Sequence, residues 1–302
     1  MSPSVWLVTG CSSGFGSAFV HEILSRGDKV IATGRNASTK LAHLGDTGAA
    51  ILDLDVTAPQ EEIDEKIKQA IAVYGQIDVL VNNAGYVQLG FVEGTPRETY
   101  ISQLNTNFFG AISVTTALLP HFRARRTGRI AFLNSIFAWS TVVAGAPYAV
   151  SKQALNAFAL SLHEEVRGFG IKVVSFEVGH FRTPVLSKSQ MKVEVGAVAG
   201  MEDYKPLVRG WMERSGGMSG NQPGDPKLGI SRMVDVLRGE GFARGKPFPL
   251  RLPIGSDAVE IVKKTCEDTL KNLEEWRELS VSTDFDEPKR GPWAVAREKG
   301  KM

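Results

Sequence analysis

Two residues near the middle of the chain are spaced for acid–base chemistry. Tyr148 and Lys152, in Tyr148-Ala149-Val150-Ser151-Lys152, stand at i and i+4, so a helix puts both on one face. A free tyrosine has a pKa near 10, and work as a base near pH 7 asks for about three units, or roughly 4 kcal/mol. One ammonium at about 4 Å, with an effective dielectric of about 20, supplies on the order of 4 kcal/mol. The spacing therefore predicts a phenol made more acidic by its lysine. Alone, such a pair is most often an ordinary exposed pair. Its company changes that reading: Ser135 closes an apolar run upstream, and Asn107 stands earlier, in Asn105-Thr106-Asn107-Phe108-Phe109-Gly110.

A second constellation opens the chain. Thr9-Gly10-Cys11-Ser12-Ser13-Gly14-Phe15-Gly16 follows an apolar run and precedes a helical pattern with Ala18, Phe19, Ile23 and Leu24 on one side. Glycines allow a tight turn and let a pyrophosphate approach the backbone at a helix N-terminus. Free N–H groups and the helix dipole stabilise phosphate there. An NAD-type site wants an acid roughly 20 residues further on, for the ribose 2′-OH. The sequence instead reads Ala32-Thr33-Gly34-Arg35-Asn36. Arg35 can face a 2′-phosphate as a charge-assisted pair, and Ser12 or Ser13 can add a hydroxyl. The expected cofactor is NADP(H) rather than NAD(H).

These residues need elements that hold them. Continuous apolar runs, at 5–8, 30–32, 50–52, 79–81, 130–133 and 173–176, fit strands buried on both faces. Helical patterns lie between them. Thr57-Ala58-Pro59-Gln60 reads as a capping box, and Ile63, Ile67, Ile71 and Tyr74 follow on one face. The fold class is α/β: a single doubly wound parallel sheet with helices on both faces. The stretch 185–255 is rich in Gly and Pro and reads as a substrate lid inserted near the C-terminus, with a helix over Lys227–Arg238 inside it. Phe248–Leu252 reads as an edge strand. A long helix from Ser256 carries an apolar stripe of Ala258, Val262, Cys266, Leu270, Leu273 and Trp276. The domain then spans 1–284, and 285–302 is a charged, loosely held tail.

Composition narrows the function classes. The 302 residues carry a formal charge of +2 and 43% hydrophobic residues, so no field favours nucleic acid or an anionic membrane. Two cysteines, Cys11 and Cys266, exclude a disulfide scaffold and a four-cysteine zinc site. The five histidines show no metal-ligand spacing, so no metal is expected; His180 reads as a structural histidine. No run approaches the roughly 18 apolar residues of a membrane span, and neither end looks like a targeting signal. The expected location is the cytoplasm.

The set TGCSSGFG at 9–16, LDVT at 54–57, NNAG at 82–85, Asn107, Ser135 and Tyr148-x-x-x-Lys152 resembles the classical short-chain dehydrogenase/reductases, motif by motif and in order. The later segments Arg251–Ala258 and Glu274–Ser280 look like the branch of 17β-hydroxysteroid and retinol dehydrogenases. The resemblance implies a Rossmann-type fold and a role for each matching position. Tyr148 is the acid/base, Ser135 orients the substrate oxygen, Lys152 binds the nicotinamide ribose and Asn107 holds a relay water. Gly10, Ser12, Ser13, Gly14, Phe15 and Gly16 form the cofactor loop. Asp55 and Val56 meet the adenine, and Asn82, Ala84 and Gly85 line the cofactor, with Asn82 also steadying the sheet. Where the family has Pro-Gly, this chain has Val178-Gly179; Gly179 keeps the turn, and Thr183 matches the contact to the nicotinamide amide. Relatives associate through two long helices, so a homodimer or homotetramer is expected.

The apolar residues of 185–255, among them Leu186, Met191, Val195, Val198, Val208, Trp211 and Met218, point to a bulky, mostly hydrophobic carbonyl or secondary alcohol as substrate. The expected activity is NADP(H)-dependent ketone–alcohol interconversion. The alternative is a cofactor-holding scaffold that binds a metabolite or runs non-redox chemistry such as isomerisation or cyclisation.

Overall fold

The computed structural model describes residues 3–183, 191–194, 198, 200–216 and 220–285. Its core is a parallel sheet. The strands are β1 Val5–Val8, β2 Lys29–Gly34, β3 Ala50–Asp53, β4 Val79–Asn82, β5 Val87–Gly90, β6 Gly128–Ser135, β7 Ile171–Val178, β8 Met191–Glu194 and β9 Arg251–Ile254. Seven of them pair in the order β3-β2-β1-β4-β6-β7-β9, every pairing parallel. The order reverses between β1 and β4, which opens a crevice at the strands' carboxyl ends.

The helices are α1 Gly14–Ser25, α2 Ala37–Lys40, α3 Gln60–Tyr74, α4 Arg97–Leu104, α5 Gly110–Arg125, α6 Ala146–Val166, α7 Lys205–Gly216, α8 Pro226–Arg238, α9 Ser256–Glu275 and α10 Arg277–Val281. Alternation along β1 feeds two cores. Trp6 and Val8 pack with Phe19, Ile23, Ile230 and Met233 from α1 and α8. Val5 and Leu7 pack on the other face with Ile63, Val114 and Leu155 from α3, α5 and α6. That is why β1, with all four residues buried, reads as a continuous apolar run.

Several expectations meet corrections. No capping box forms at α3: the Thr57 hydroxyl and N–H both donate to Asp55 Oδ1, at 2.8 and 2.9 Å, and Pro59 occupies the N-cap position. The helix starts past Pro59, so Thr57 lies outside its first turn and its hydroxyl donates to the nearby carboxylate instead. The last strand of the sheet begins at Arg251 rather than Phe248. β5 and β8 pair with each other in a separate two-stranded parallel sheet that the sequence pattern does not announce.

Beyond β7 the chain makes an excursion whose two ends meet. Phe181 bridges Gly224, Arg182 N–H donates to the Gly224 carbonyl at 3.0 Å and Gly224 N–H to the His180 carbonyl at 3.0 Å. Inside it Val198 and Val208 are buried with Phe91 in a small third core. Leu186, Val195 and Met218 lie outside the described residues, as does the expected tail apart from Phe285.

The chain divides into two compact units, 1–262 and 263–302. In the second, the described residues continue α9 and add α10; Leu270, Leu273 and Trp276 of the expected stripe are exposed there. Among the described residues, no helix is long and apolar enough to cross a membrane.

Candidate active site

The carboxyl ends of β1, β2, β4, β6 and β7 border one cleft of about 1260 Å³. At one end lies the glycine-rich turn. Gly10 has φ +72°, and a Cβ there would stand 2.8 Å from Ala84 Cα. A Cβ on Gly16 would meet the Gly10 carbonyl at 2.2 Å, so that position packs the turn from behind and does not line the cleft. Gly10, Ser12, Ser13, Gly14 and Phe15 do line it. No side chain caps the first turn of α1 and no acid stands in it. Its amides therefore offer a site for phosphate.

Thr9 and Asn83 lock this turn to the end of β4. Thr9 Oγ1 accepts from the N–H groups of Asn83 and Ala84, each at 3.0 Å. Asn83 Nδ2 donates to the Thr9 carbonyl at 2.8 Å. Ala84 and Gly85 line the cleft, and so does Asn83. Asn82 turns the other way: its Nδ2 donates to Thr115 Oγ1 on α5 at 2.9 Å, so it ties sheet to helix and is not on the wall. The expectation that Asn82 lines the cofactor is thus corrected to Asn83, which the sequence reading passed over; strand alternation, which sends neighbours to opposite faces, is the signal that separates them.

Arg35, exposed at the end of β2, lines the cleft with Asp55 and Val56. Lys40, which the sequence reading missed, joins it from the last turn of α2. Two cations thus stand where an acid would be needed for a free ribose 2′-OH.

The cleft's other end holds Ser135, Tyr148 and Lys152. Ser135 ends β6; Tyr148 and Lys152 rise from the first turns of α6. Lys152 is buried and donates to the Leu133 carbonyl at 2.7 Å, with Nζ 5.6 Å from the centre of the Tyr148 ring. Phe137 packs edge-on against that ring, centroids 5.3 Å apart. Burial pushes the Tyr148 phenol up to about 12, while a hydrogen bond with Ser135 pulls the other way. Burial pushes the Lys152 ammonium down to about 8. The expected acidified phenol is thus corrected: burial outweighs the Ser135 hydrogen bond, and the ammonium is committed to the Leu133 carbonyl.

Asn107 lies behind the wall. It sits in a π-turn, Asn105–Phe109, between α4 and α5. Its Oδ1 accepts from Tyr86 N–H at 3.1 Å; its Nδ2 donates to the Tyr86 carbonyl at 3.0 Å and to Ser151 Oγ at 3.2 Å. Ser151 Oγ donates in turn to the Tyr148 carbonyl at 2.7 Å. Asn107 therefore couples the loop after β4 to the turn that carries Tyr148. Gly179 and Thr183 line the cleft from the end of β7, where Gly179 N–H donates to the Ile254 carbonyl at 2.9 Å.

Val87, Leu89, Val142, Val143, Met191 and Trp211 give the same cleft an apolar part of its lining. Of the apolar residues expected to meet substrate, Met191 and Trp211 do line the cleft, whereas Val198 and Val208 pack the third core.

Residues 4–194 match the family model described as short chain dehydrogenase. Oxidoreductase BOA17 of Botryotinia fuckeliana is 33% identical over 282 residues, covering 92% of this chain and 98% of that protein. A crystal structure of a short-chain dehydrogenase from Streptomyces avermitilis superposes with a TM-score of 0.80 at 34% identity, over 94% of this chain and 100% of that one. A short chain dehydrogenase from Burkholderia cenocepacia, solved in complex with NADP, shares the fold with a TM-score of 0.66 at 20% identity, over 90% and 97% of the two chains.

Proposed function

The chain belongs to the short-chain dehydrogenase family of NAD(P)-dependent oxidoreductases, and from that premise we propose that it interconverts a ketone and a secondary alcohol on a bulky, mostly hydrophobic small molecule, with NADP(H) as cofactor. The observation that carries this reading is the meeting of Ser135, Tyr148 and Lys152 in the cleft that also holds the glycine-rich turn and Arg35.

The cleft's residues fit the cofactor. The α1 amides suit its pyrophosphate, Arg35 and Lys40 its 2′-phosphate, and Asp55 and Val56 its adenine. Ala84, Gly85 and Lys152 suit the ribose beside the nicotinamide, with Gly179 and Thr183 at the ring. NADPH, when bound, supplies the hydride. A relative of the same fold in complex with NADP is in keeping with this choice.

The proton chemistry belongs to the protein. A ketone oxygen between Ser135 Oγ and Tyr148 Oη takes a hydrogen bond from each. As negative charge builds on that oxygen, the Tyr148 proton passes to it. The Lys152 ammonium steadies the phenolate left behind. Asn107 holds the Tyr148 turn and the relay behind it. In oxidation the same proton moves back. The excursion after β7 is the substrate lid in this reading, and its Met191 and Trp211, lining the same cleft as Val87 and Leu89 of β5, exclude water.

The test is the absorbance change at 340 nm with a panel of hydrophobic ketones against small hydrophilic sugars and hydroxy acids. Turnover of the hydrophobic ketones is expected. NADPH binding without any turnover would replace this reading with the non-redox scaffold; turnover of sugars alone would overturn the substrate class.

A further inference from the structure

The proposed chemistry leaves His180 unused. His180 follows Gly179 directly and lines the cleft. Its backbone N–H and its ring Nδ1 both meet Asp257 Oδ2, at 2.7 and 2.8 Å. Asp257 stands in the first turn of α9. Its carboxylate fits only because two glycines adjoin it: a Cβ would stand 2.2 Å from Oδ1 on Gly179 and 2.8 Å from it on Gly255. The His180 carbonyl accepts from Gly224 N–H at 3.0 Å. Backbone and ring are both held.

This arrangement sets the ring's tautomer. A carboxylate only accepts, so the proton sits on Nδ1 and the neutral ring keeps a lone pair on Nε2. Among the described residues Nε2 meets no partner, and 36% of the side chain is exposed. A staple between β7 and α9 would need only the Nδ1 side, which asparagine could supply. The ring instead carries an oriented acceptor into the cleft that holds Ser135 and Tyr148. A few fixed polar groups in an apolar pocket are what select one ligand over its analogues.

We propose that His180 Nε2, with Asp257 as its positioning residue, accepts a hydrogen bond from a hydroxyl on the substrate, so that the preferred substrates are hydroxy ketones rather than plain hydrophobic ketones. This rests on the ketone-reducing reading above.

Matched pairs test it: α-hydroxyacetophenone against propiophenone, and β-hydroxypropiophenone against butyrophenone. Each is measured for kcat and KM, and by calorimetric binding to the NADP+-loaded protein. The wild type should favour the hydroxy member of at least one pair by about threefold to tenfold, the range of one neutral hydrogen bond. His180→Gln, whose amide oxygen reaches the place of Nε2, should keep most of that ratio. His180→Asn, which replaces only the Nδ1 side, should bring it to about one through KM. No preference in the wild type overturns the proposal, as does an unchanged ratio in His180→Asn with both members weakened alike. Absence of all turnover overturns the ketone reading instead. Calorimetry then still decides for His180: a hydroxyl preference lost in His180→Asn upholds it, and equal binding of both members overturns it.

Discussion

At the scale of single residues, desolvation decides the state of the acid–base pair. With its phenol pushed up to about 12, Tyr148 is a proton donor throughout the neutral range. Ketone reduction should hold steady to about pH 8 and decline above it, as Lys152 loses its charge. Alcohol oxidation needs the phenolate and should be slow at neutral pH and rise with it. Initial rates in both directions from pH 6 to 10 check this; oxidation faster at pH 6 than at pH 9 would refute it. Tyr148→Phe deletes only the hydroxyl, so cofactor binding should persist while turnover falls by a factor of about 100 to 10,000, the contribution of a placed acid. Fluorescence titration and the 340 nm assay read the two separately. Arg35 is exposed, so its pairing with a 2′-phosphate is screened by solvent. Arg35→Ala should weaken NADPH by about five- to thirtyfold, some 1–2 kcal/mol, with little effect on NADH. Equal weakening of both cofactors would remove Arg35 from that role.

At the scale of elements, β7 shows how far a strand can be read. The apolar run stops at Phe176, yet the strand continues through Glu177 to Val178. Glu177 has no exposed surface. It accepts from Trp139 Nε1 at 2.5 Å and from Arg251 Nε, while the Arg251 guanidinium stacks 3.8 Å from the Trp139 ring. The charge that hid the end of the strand is thus the clasp between β9 and the loop after β6. Glu177→Ala leaves Arg251 without its anion. Arg251 is a quarter exposed, so the loss should fall near the low end of the range for broken buried pairs, about 3 kcal/mol. Urea denaturation at a constant m-value measures it. Such long-range pairings are invisible to a local pattern. So are β5 and β8, four residues each, which become strands only because the excursion brings them together. The six apolar runs were legible because parallel strands have no polar face to interrupt them. The site residues were legible as motifs, but the orientations of Asn82 and Asn107 depend on which neighbour each side chain reaches.

At the scale of the whole molecule, the α4–α6 region leaves apolar side chains uncovered. Ile101, Phe109 and Val150 are exposed, and Phe108 packs against both Phe109 and Phe158 of α6. A second copy covering this face accords with the expected dimer or tetramer. Light scattering at micromolar concentration should give at least twice the 32.8 kDa of the chain, and Phe109→Glu should shift the mass toward the monomer. A monomer in the unaltered protein would reject the association.

The closed stem of the excursion has a consequence for how this scaffold can diversify. Because Phe181 and Gly224 meet, the sheet bears only the closure entropy of the segment between them, and doubling that segment's length would cost only about 0.6 kcal/mol. Length changes there that spare β8, Val198 and Val208 therefore cost the sheet little, while they redraw one wall of the cleft. Exchange of this single loop between homologues, cut at the stem, is a route to new substrate preferences that leaves the phosphate-binding turn and the proton donor in place.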